Sequence, residues 1–393
     1  MMMNGTKKQL RLSDYDISER TGFLPPNPPL RRLPGEYFSS WEDTCSKIPA
    51  LIESKQLRAE VDALPERQFN KETLKCEEEW QRAYSLLTFL SQSYIWAEGE
   101  AGVIDTLPKK LAIPWYAVSE HLTLKPVATY ASTLLYNYCL RDPNGGMTAD
   151  NLEAVFTFSG TKDESWFYMM SGLVELAAVP GLKAIEHAYK SMEQEQDDCL
   201  VVDLENITKS ILEMTEALQR MYDHCAPLVF YLQIRPFQSG SKGIKAFPNG
   251  IIYEGVDSEP KLYHGASAGQ STSVPSFDVF LRVEHTGSEQ EFLHTMREYM
   301  PRKHKEFLEA LDQLPSVRDY VLQSKNPELS KNYDLAVEAF SAFRSEHIVL
   351  VTRYIVMQRR HSVNASLDMT GTGGTPFMVL LKQVRDDTLA LKL

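Results

Sequence analysis

Apolar residues return three and four positions apart through most of this chain, and no other feature limits its folding as strongly. Such a chain buries its hydrophobic faces by packing helices on one another. The pattern starts at "YFSSWEDTCSKIPALIESKQLRAEVDALP", interrupted at Pro49 and Pro65, and continues through "CEEEWQRAYSLLTFLSQSYIWA" and "VATYASTLLYNYCL". It resumes in "ESWFYMMSGLVELAAVPGLKAIEHAYKSM", "LENITKSILEMTEALQRMYDHC", "PRKHKEFLEALDQL" and "KNYDLAVEAFSAFRSEHIVLVTRYIVMQRR". Strand signals are few: "GIIYEGV" reads as a short ribbon, and "FDVFLRVEH" fits a strand or a buried helix equally well. The expected class is therefore all-α, as layers of packed helices.

At 393 residues the chain exceeds one typical core, so two domains are expected. The strongest cluster of turn signals, "RDPNGGMTADN" at 141–151, places the boundary, giving a smaller helical unit over 1–147 and a larger one over 148–393. The proline-rich stretch "LPPNPPLRRLPGE" at 24–36 is expected to run extended. A net charge of −12 argues against a nucleic-acid or anionic-membrane partner, which would be repelled at long range. No uninterrupted apolar run approaches a membrane span, and "MMMNGTKKQLRLSDYD" has no apolar core of a signal peptide. The cysteines at 45, 76, 139, 199 and 225 never form CxxC, which fits a reducing cytosol and excludes a zinc or disulfide framework as the organising device.

Two features carry candidate chemistry. The stretch "TGTGGTPF" from Thr370 lacks the lysine of a phosphate loop and has Pro376 where a dinucleotide fingerprint needs its last glycine. It reads instead as a helix start: Thr375 suits the N-cap, Pro376 the first position, and Phe377, Leu380, Leu381 and Val384 one apolar face. Such an approach either receives an anion on its unpaired N–H groups or simply links and caps a helix. In the second feature, Ala336, Phe340, Phe343, His347, Leu350, Val351 and Tyr354 share one helical stripe, so an imidazole lies amid apolar side chains. It is a satisfied core histidine, or it binds a metal. Zinc lacks further ligands nearby, whereas a haem asks for one histidine in an apolar slot and cations for its propionates, such as Arg344 one turn earlier.

Six stretches in order resemble the indoleamine 2,3-dioxygenase family: "IIYEGV", "GASAGQS", "FDVFL", "REYMPRKHKEFLEAL", "FRSEHIVLVTRYI" and "GTGGTPFMVLLKQVRDDT". The likeness begins at "YDISERTGFLPPNPPLRRLP" and runs nearly to the end. It implies an all-α haem protein in which a smaller N-terminal domain packs on a larger one holding a b-type haem (heme b), ferrous when active. The implied reaction inserts both atoms of O2 across the indole C2–C3 bond of L-tryptophan, giving N-formylkynurenine at the start of the kynurenine pathway and NAD biosynthesis. The protein would be a cytoplasmic monomer supplied by an electron donor.

The resemblance puts His347 on the iron, with Arg344, Ser267 and Asp278 beside the haem; Asp278 and Arg344 would link helices and propionate. Arg235 would pair with the substrate carboxylate, Phe230 would pack on the indole, and Ser171 would line the distal side; these three are the implied catalytic residues. Tyr130, Phe167, Ala268 and Thr375 complete the implied substrate contacts, Thr375 from a loop that closes over the pocket. His304 recurs in the pattern but has charged neighbours, so a surface or interhelical place is expected. The family has tryptophan where this chain has Ser241, and glycine where it has Ala266, changes that bear on affinity and choice of indole rather than on reaction type. The other reading is a haem protein of the same fold that binds or senses oxygen; Arg235, Phe230 and Ser171 together argue against it, since a carrier needs no carboxylate clamp.

Overall fold

The structure is a computed structural model describing residues 9–66, 68–361 and 377–393. The helices that shape it are α1 (Glu77–Trp96), α2 (Lys109–His121), α3 (Lys162–Ala177), α4 (Val179–Glu193), α5 (Asp197–Gln219), α6 (Ser273–Leu281), α7 (Gly287–Arg297), α8 (Arg302–Asp312), α9 (Pro327–Val351) and α10 (Phe377–Leu389). Strands are two to five residues long. β1 (Thr106–Leu107) pairs in parallel with β4 (Ile251–Tyr253), β4 pairs antiparallel with β5 (Asp257–Lys261), and β2 (Tyr138–Leu140) pairs antiparallel with β3 (Leu152–Ala154). The chain is thus all-α in class, and "GIIYEGV" supplies the ribbon its composition suggested.

Local chemistry explains the element ends. Asn326 caps α9 by accepting the Glu328 N–H at 3.0 Å, and Pro327 sits in the first turn, where a missing N–H costs nothing. Thr161 caps α3 by accepting from the Glu164 N–H. The long periodic segment 164–192 is two helices, because Pro180 in the first turn of α4 cannot continue α3. The ambiguous "FDVFLRVEH" is helical as far as Leu281. Phe277, Val279, Phe280 and Leu281 are all buried, so no polar face was left to reveal the period, and Arg282 ends the helix at φ 64°.

One segment departs from the expected helix. "VATYASTLLYNYCL" forms a single π-helical turn at Ala131–Leu135 and then β2. Buried Asn137 diverts it: its amide donates to the carbonyls of Thr133 and Phe156 and accepts the Phe156 N–H at 2.8 Å, tying the backbone to the end of β3. Two more π-helical turns occur, at Phe230–Ile234 and, inside a stretch whose period reads as continuous helix, at Thr352–Val356.

Two large hydrophobic clusters and one small one (Val127, Met296 and Tyr299) are buried among the described residues, and each draws on both sides of the turn-rich break at 141–151. The first joins Trp41, Trp80, Trp96 and Trp115 to Phe237, Phe247 and Tyr253. The second joins Leu10, Leu12, Ile17 and Phe23 to α4, α5, α8 and α9. Within it α5 is the central helix, with α3, α4 and α9 packed on it, and α10 lies against α9. The stretch Lys162–Glu193 is apolar enough over 18 residues to cross a membrane, but 67% of that window is buried in this helical layer.

A close backbone crossing lies beside α1. Gln92 of α1 donates to the carbonyls of Phe237 and Ser239 at 3.0 and 2.9 Å, fixing the 3-10 turn Arg235–Gln238. Gly240 and Gly265 then pass so closely that a Cβ on Gly265 would collide with the Gln238 carbonyl and the Gly240 N, and one on Gly240 with the Tyr263 carbonyl. Backbone on both sides leaves no side chain to yield. Gly265→Ala is therefore expected to lower stability by about 1–3 kcal/mol or more, read as a reduced urea midpoint at unchanged m-value.

Candidate functional site

A cavity of about 760 Å³ lies among α3, α6, α7, α9 and α10, with the first π-helical turn and the loop at 266–271 completing its wall. That volume suits a large organic ligand. Tyr130, Phe167, Ser171, Phe230, Ser267, Ala268, Asp278, Arg344 and His347 all line it, so the structure gathers on one space residues spread over more than 200 positions of sequence. The face expected for α10 also lines it, through Phe377, Leu380, Leu381 and Val384. Thr375 and the glycine-rich approach lie outside the described residues.

His347 forms no hydrogen bond with any described residue and faces the cavity. Burial, helped by the nearby Arg344 charge, lowers its pKa to about 4, so the imidazole is neutral at physiological pH with its lone pair available. Around Phe167 and Phe230 the cavity walls are aromatic. The Phe167 and Phe230 rings lie 4.8 Å apart, and Phe230 meets Tyr354 edge-on at 5.8 Å. The Ser171 hydroxyl donates to the Phe167 carbonyl of its own helix at 3.2 Å and keeps acceptor capacity toward the cavity. Ser267 caps the short turn Ala268–Gln270 by accepting the Gly269 N–H. Ala266, also on the wall, is held through its N–H to the Gln238 carbonyl at 2.9 Å.

Other residues are placed differently. Arg235 is 1% exposed, behind the lining, with its guanidinium 5.4 Å from the Tyr231 ring; its neighbour Gln238 is the one that reaches the wall. Arg344 gives one terminal nitrogen to both Asp278 oxygens, at 2.5 and 2.6 Å, and the other to the Val384 carbonyl and the Thr388 hydroxyl of α10. Its two terminal nitrogens thus join α6, α9 and α10, and those donors are not left for a propionate. His304 is buried rather than at the surface: it packs on Phe23 at 4.8 Å between ring centroids, and burial lowers its pKa to about 3. Ser241 lies off the cavity, where it donates to the Lys261 carbonyl and accepts the Tyr263 N–H, both at 3.0 Å.

Several members of the site went unnoticed in the sequence. Glu164, Tyr168 and Glu175 join the already named Ser171 at intervals of four, three and four along α3, which is mostly apolar beyond its first turn, and that polar stripe was a legible signal. Glu164 accepts from Tyr168 at 2.9 Å, and Gln238 donates to the same tyrosine oxygen at 2.7 Å. Glu175 accepts from Tyr130 at 2.8 Å, Ser271 at 2.6 Å and Ser273 at 2.5 Å, joining the first π-helical turn, the 266–271 loop and α6 at one buried carboxylate. Burial raises its pKa against the lowering effect of those three hydroxyls. On α7, Gln290, Leu293, His294 and Arg297 present one face to the cavity, and the Arg297 guanidinium has no ion-pair or hydrogen-bond partner among the described residues.

The residues fit a haem, the cofactor that the resemblance implies. One neutral, unpartnered imidazole faces a largely apolar space, Arg297 offers an uncommitted cation at its edge, and no cluster of three or more His, Cys, Asp or Glu able to hold a free metal ion occurs among the described residues.

Comparison with known proteins gives a consistent answer. The family model described as indoleamine 2,3-dioxygenase matches residues 11–391. The chain is 38% identical to indoleamine 2,3-dioxygenase 2 of Homo sapiens, covering 98% of this chain and 96% of the relative. It is 40% identical to indoleamine 2,3-dioxygenase 2 of Mus musculus, covering 97% and 95%. The indoleamine 2,3-dioxygenase of Saccharomyces cerevisiae is 32% identical, with 96% and 93% covered.

Glu175→Ala would leave the Tyr130, Ser271 and Ser273 hydroxyls without their shared acceptor. A loss of about 2–4 kcal/mol is expected in chemical denaturation, with Glu175→Gln, which keeps one acceptor oxygen, losing less.

Proposed function

The chain belongs to the indoleamine 2,3-dioxygenase family, and we propose that it is a haem-dependent dioxygenase converting L-tryptophan and O2 to N-formylkynurenine. The observation that carries this reading is the placement of His347, neutral and unpartnered, on the same apolar cavity as Ser171, Phe167 and Phe230. In this reading His347 holds the iron of a b-type haem, and Arg297 holds a propionate, since the nitrogens of Arg344 are engaged by Asp278 and α10. Bound there, haem supplies the activation of O2 for insertion across the indole C2–C3 bond.

The chain's own residues bind, orient and exclude water. Phe167, Phe230 and Tyr354 form an aromatic wall against which an indole packs. Ser171 has acceptor capacity for the indole N–H. Arg235, turning from the Tyr231 face, pairs with the substrate carboxylate, a planar fork matched to a planar anion. Ala266 narrows the wall by one methyl group, which bears on the choice of indole. Both oxygen atoms enter the product, so the external electron donor serves only to keep the iron ferrous. The protein then acts as a cytoplasmic monomer at the opening step of the kynurenine route toward NAD.

Purified protein, given ascorbate, methylene blue and L-tryptophan under air, should show a Soret band and accumulate the formylkynurenine chromophore. A Soret band with a lasting oxygenated spectrum and no product would favour an oxygen carrier. His347→Ala should lose the Soret band. Arg235→Ala should keep it while KM for tryptophan rises about 10–100-fold; an unchanged KM would refute the clamp.

A further inference from the structure

His285 follows α6 by four residues and is nearly buried, its side chain 8% exposed. Its Nδ1 lies 2.8 Å from Oδ2 of Asp387 on α10. Its Nε2, buried and without a hydrogen-bond partner, faces Oδ1 of Asp278 on α6 at 3.7 Å. Asp278 is the carboxylate that Arg344 of α9 grips, and Arg344 also reaches the Val384 carbonyl and Thr388 of α10. Four ionisable groups therefore join α6, α9 and α10, and α10 supplies Phe377, Leu380, Leu381 and Val384 to the cavity wall.

We propose that His285 is a positioning residue: as an imidazolium bridging Asp278 and Asp387 it latches α10 against the cavity, so that cofactor retention depends on the protonation of this histidine.

The charge count supports the bridge. With neutral His285, two carboxylates face one guanidinium, and only one ring nitrogen can donate; protonated, the imidazolium donates from both nitrogens and balances the cluster. The other charged groups nearby are committed or peripheral. On the same segment, Arg282 is directed to the Leu314 and Asp312 carbonyls, while Glu284 lines the cavity. On α10, Arg385 pairs with Asp386. On α7, His294 and Arg297 line the cavity, and on α9 His347 lies one turn beyond Arg344. Burial favours neutral His285 and the Arg344 charge does likewise, but Asp278 and Asp387 outweigh them and its pKa is raised above 6.5. A raised folded value means that the latch is complete below about pH 6.5 and weakens as pH climbs through the folded value on the alkaline side. The far end of the chain is held separately, by Lys392 on Glu338 and the Leu393 N–H on Asp334, so loosening is local to α10.

The retention part rests on the haem reading, but the latch can be tested without cofactor. Hydrogen exchange of the Phe377–Leu389 amides in the full-length haem-free chain, corrected for intrinsic rates, should show opening increase about tenfold between pH 6 and 8.5. His285→Gln and Asp387→Asn should each exchange fast at both pH values. In the haem-loaded protein, transfer of haem to apomyoglobin should show the same pH step, abolished in both variants. No step in the parent chain, or a step that survives in His285→Gln or Asp387→Asn, overturns the proposal. Absence of a Soret band would defeat the cofactor reading alone, leaving the exchange result to decide the latch.

Discussion

The buried pairing of Arg344 with Asp278 is the contact on which the rest of the site depends. Arg344 lies one turn before His347 on α9, so whatever holds its guanidinium also fixes the rotation of the helix that presents the imidazole. Two ions taken out of water are costly to bury, and this pair is held in place by one guanidinium nitrogen shared between both carboxylate oxygens and by the additional acceptors of the other nitrogen on α10. Removing one partner would leave the other charged and buried. A contact of this kind adds less to net stability than to the choice of one arrangement for α6, α9 and α10, three of the helices that enclose the cavity.

On the α3 side of the cavity the ordering is done by neutral hydroxyls and two buried carboxylates of that helix. Glu164 and Glu175 lie eleven residues apart on one face of that helix, with Ser171 between them. Through Tyr168, Glu164 reaches Gln238 at the end of the Arg235 turn; through Tyr130 and two serines, Glu175 reaches the 266–271 loop and α6. Tyr130, Phe230 and Tyr354 each belong to or adjoin a π-helical turn, where an extra residue re-aims side chains that a regular helix would send elsewhere.

The two departures from the family pattern have unequal consequences. Ser241 is tied into backbone hydrogen bonds away from the cavity, so its effect on ligands runs through the loop it supports. Ala266 stands on the cavity wall next to Gly265, whose backbone crossing leaves it little room to retreat. A change in substrate preference is more directly expected from the second.

Helical class and the apolar stripe carrying His347 were legible in the sequence, because they rest on spacings of three and four residues. Of the polar stripe of α3 only Ser171 was read, although Glu164, Tyr168 and Glu175 were equally legible. Segments with no local signal went differently: α6 is buried on every side, and Asn137 turns a helical pattern into a strand through a partner 19 residues away. The sequence by itself thus determined which face of α9 is apolar and that an imidazole lies on it. Only the tertiary structure decided what that imidazole faces, that Arg344 is committed to Asp278, and that His285 meets Asp387 across 102 positions. Local periodicity reports which side of a helix avoids water, whereas partners far apart in the chain are set by how helices pack, and no short stretch of sequence encodes that.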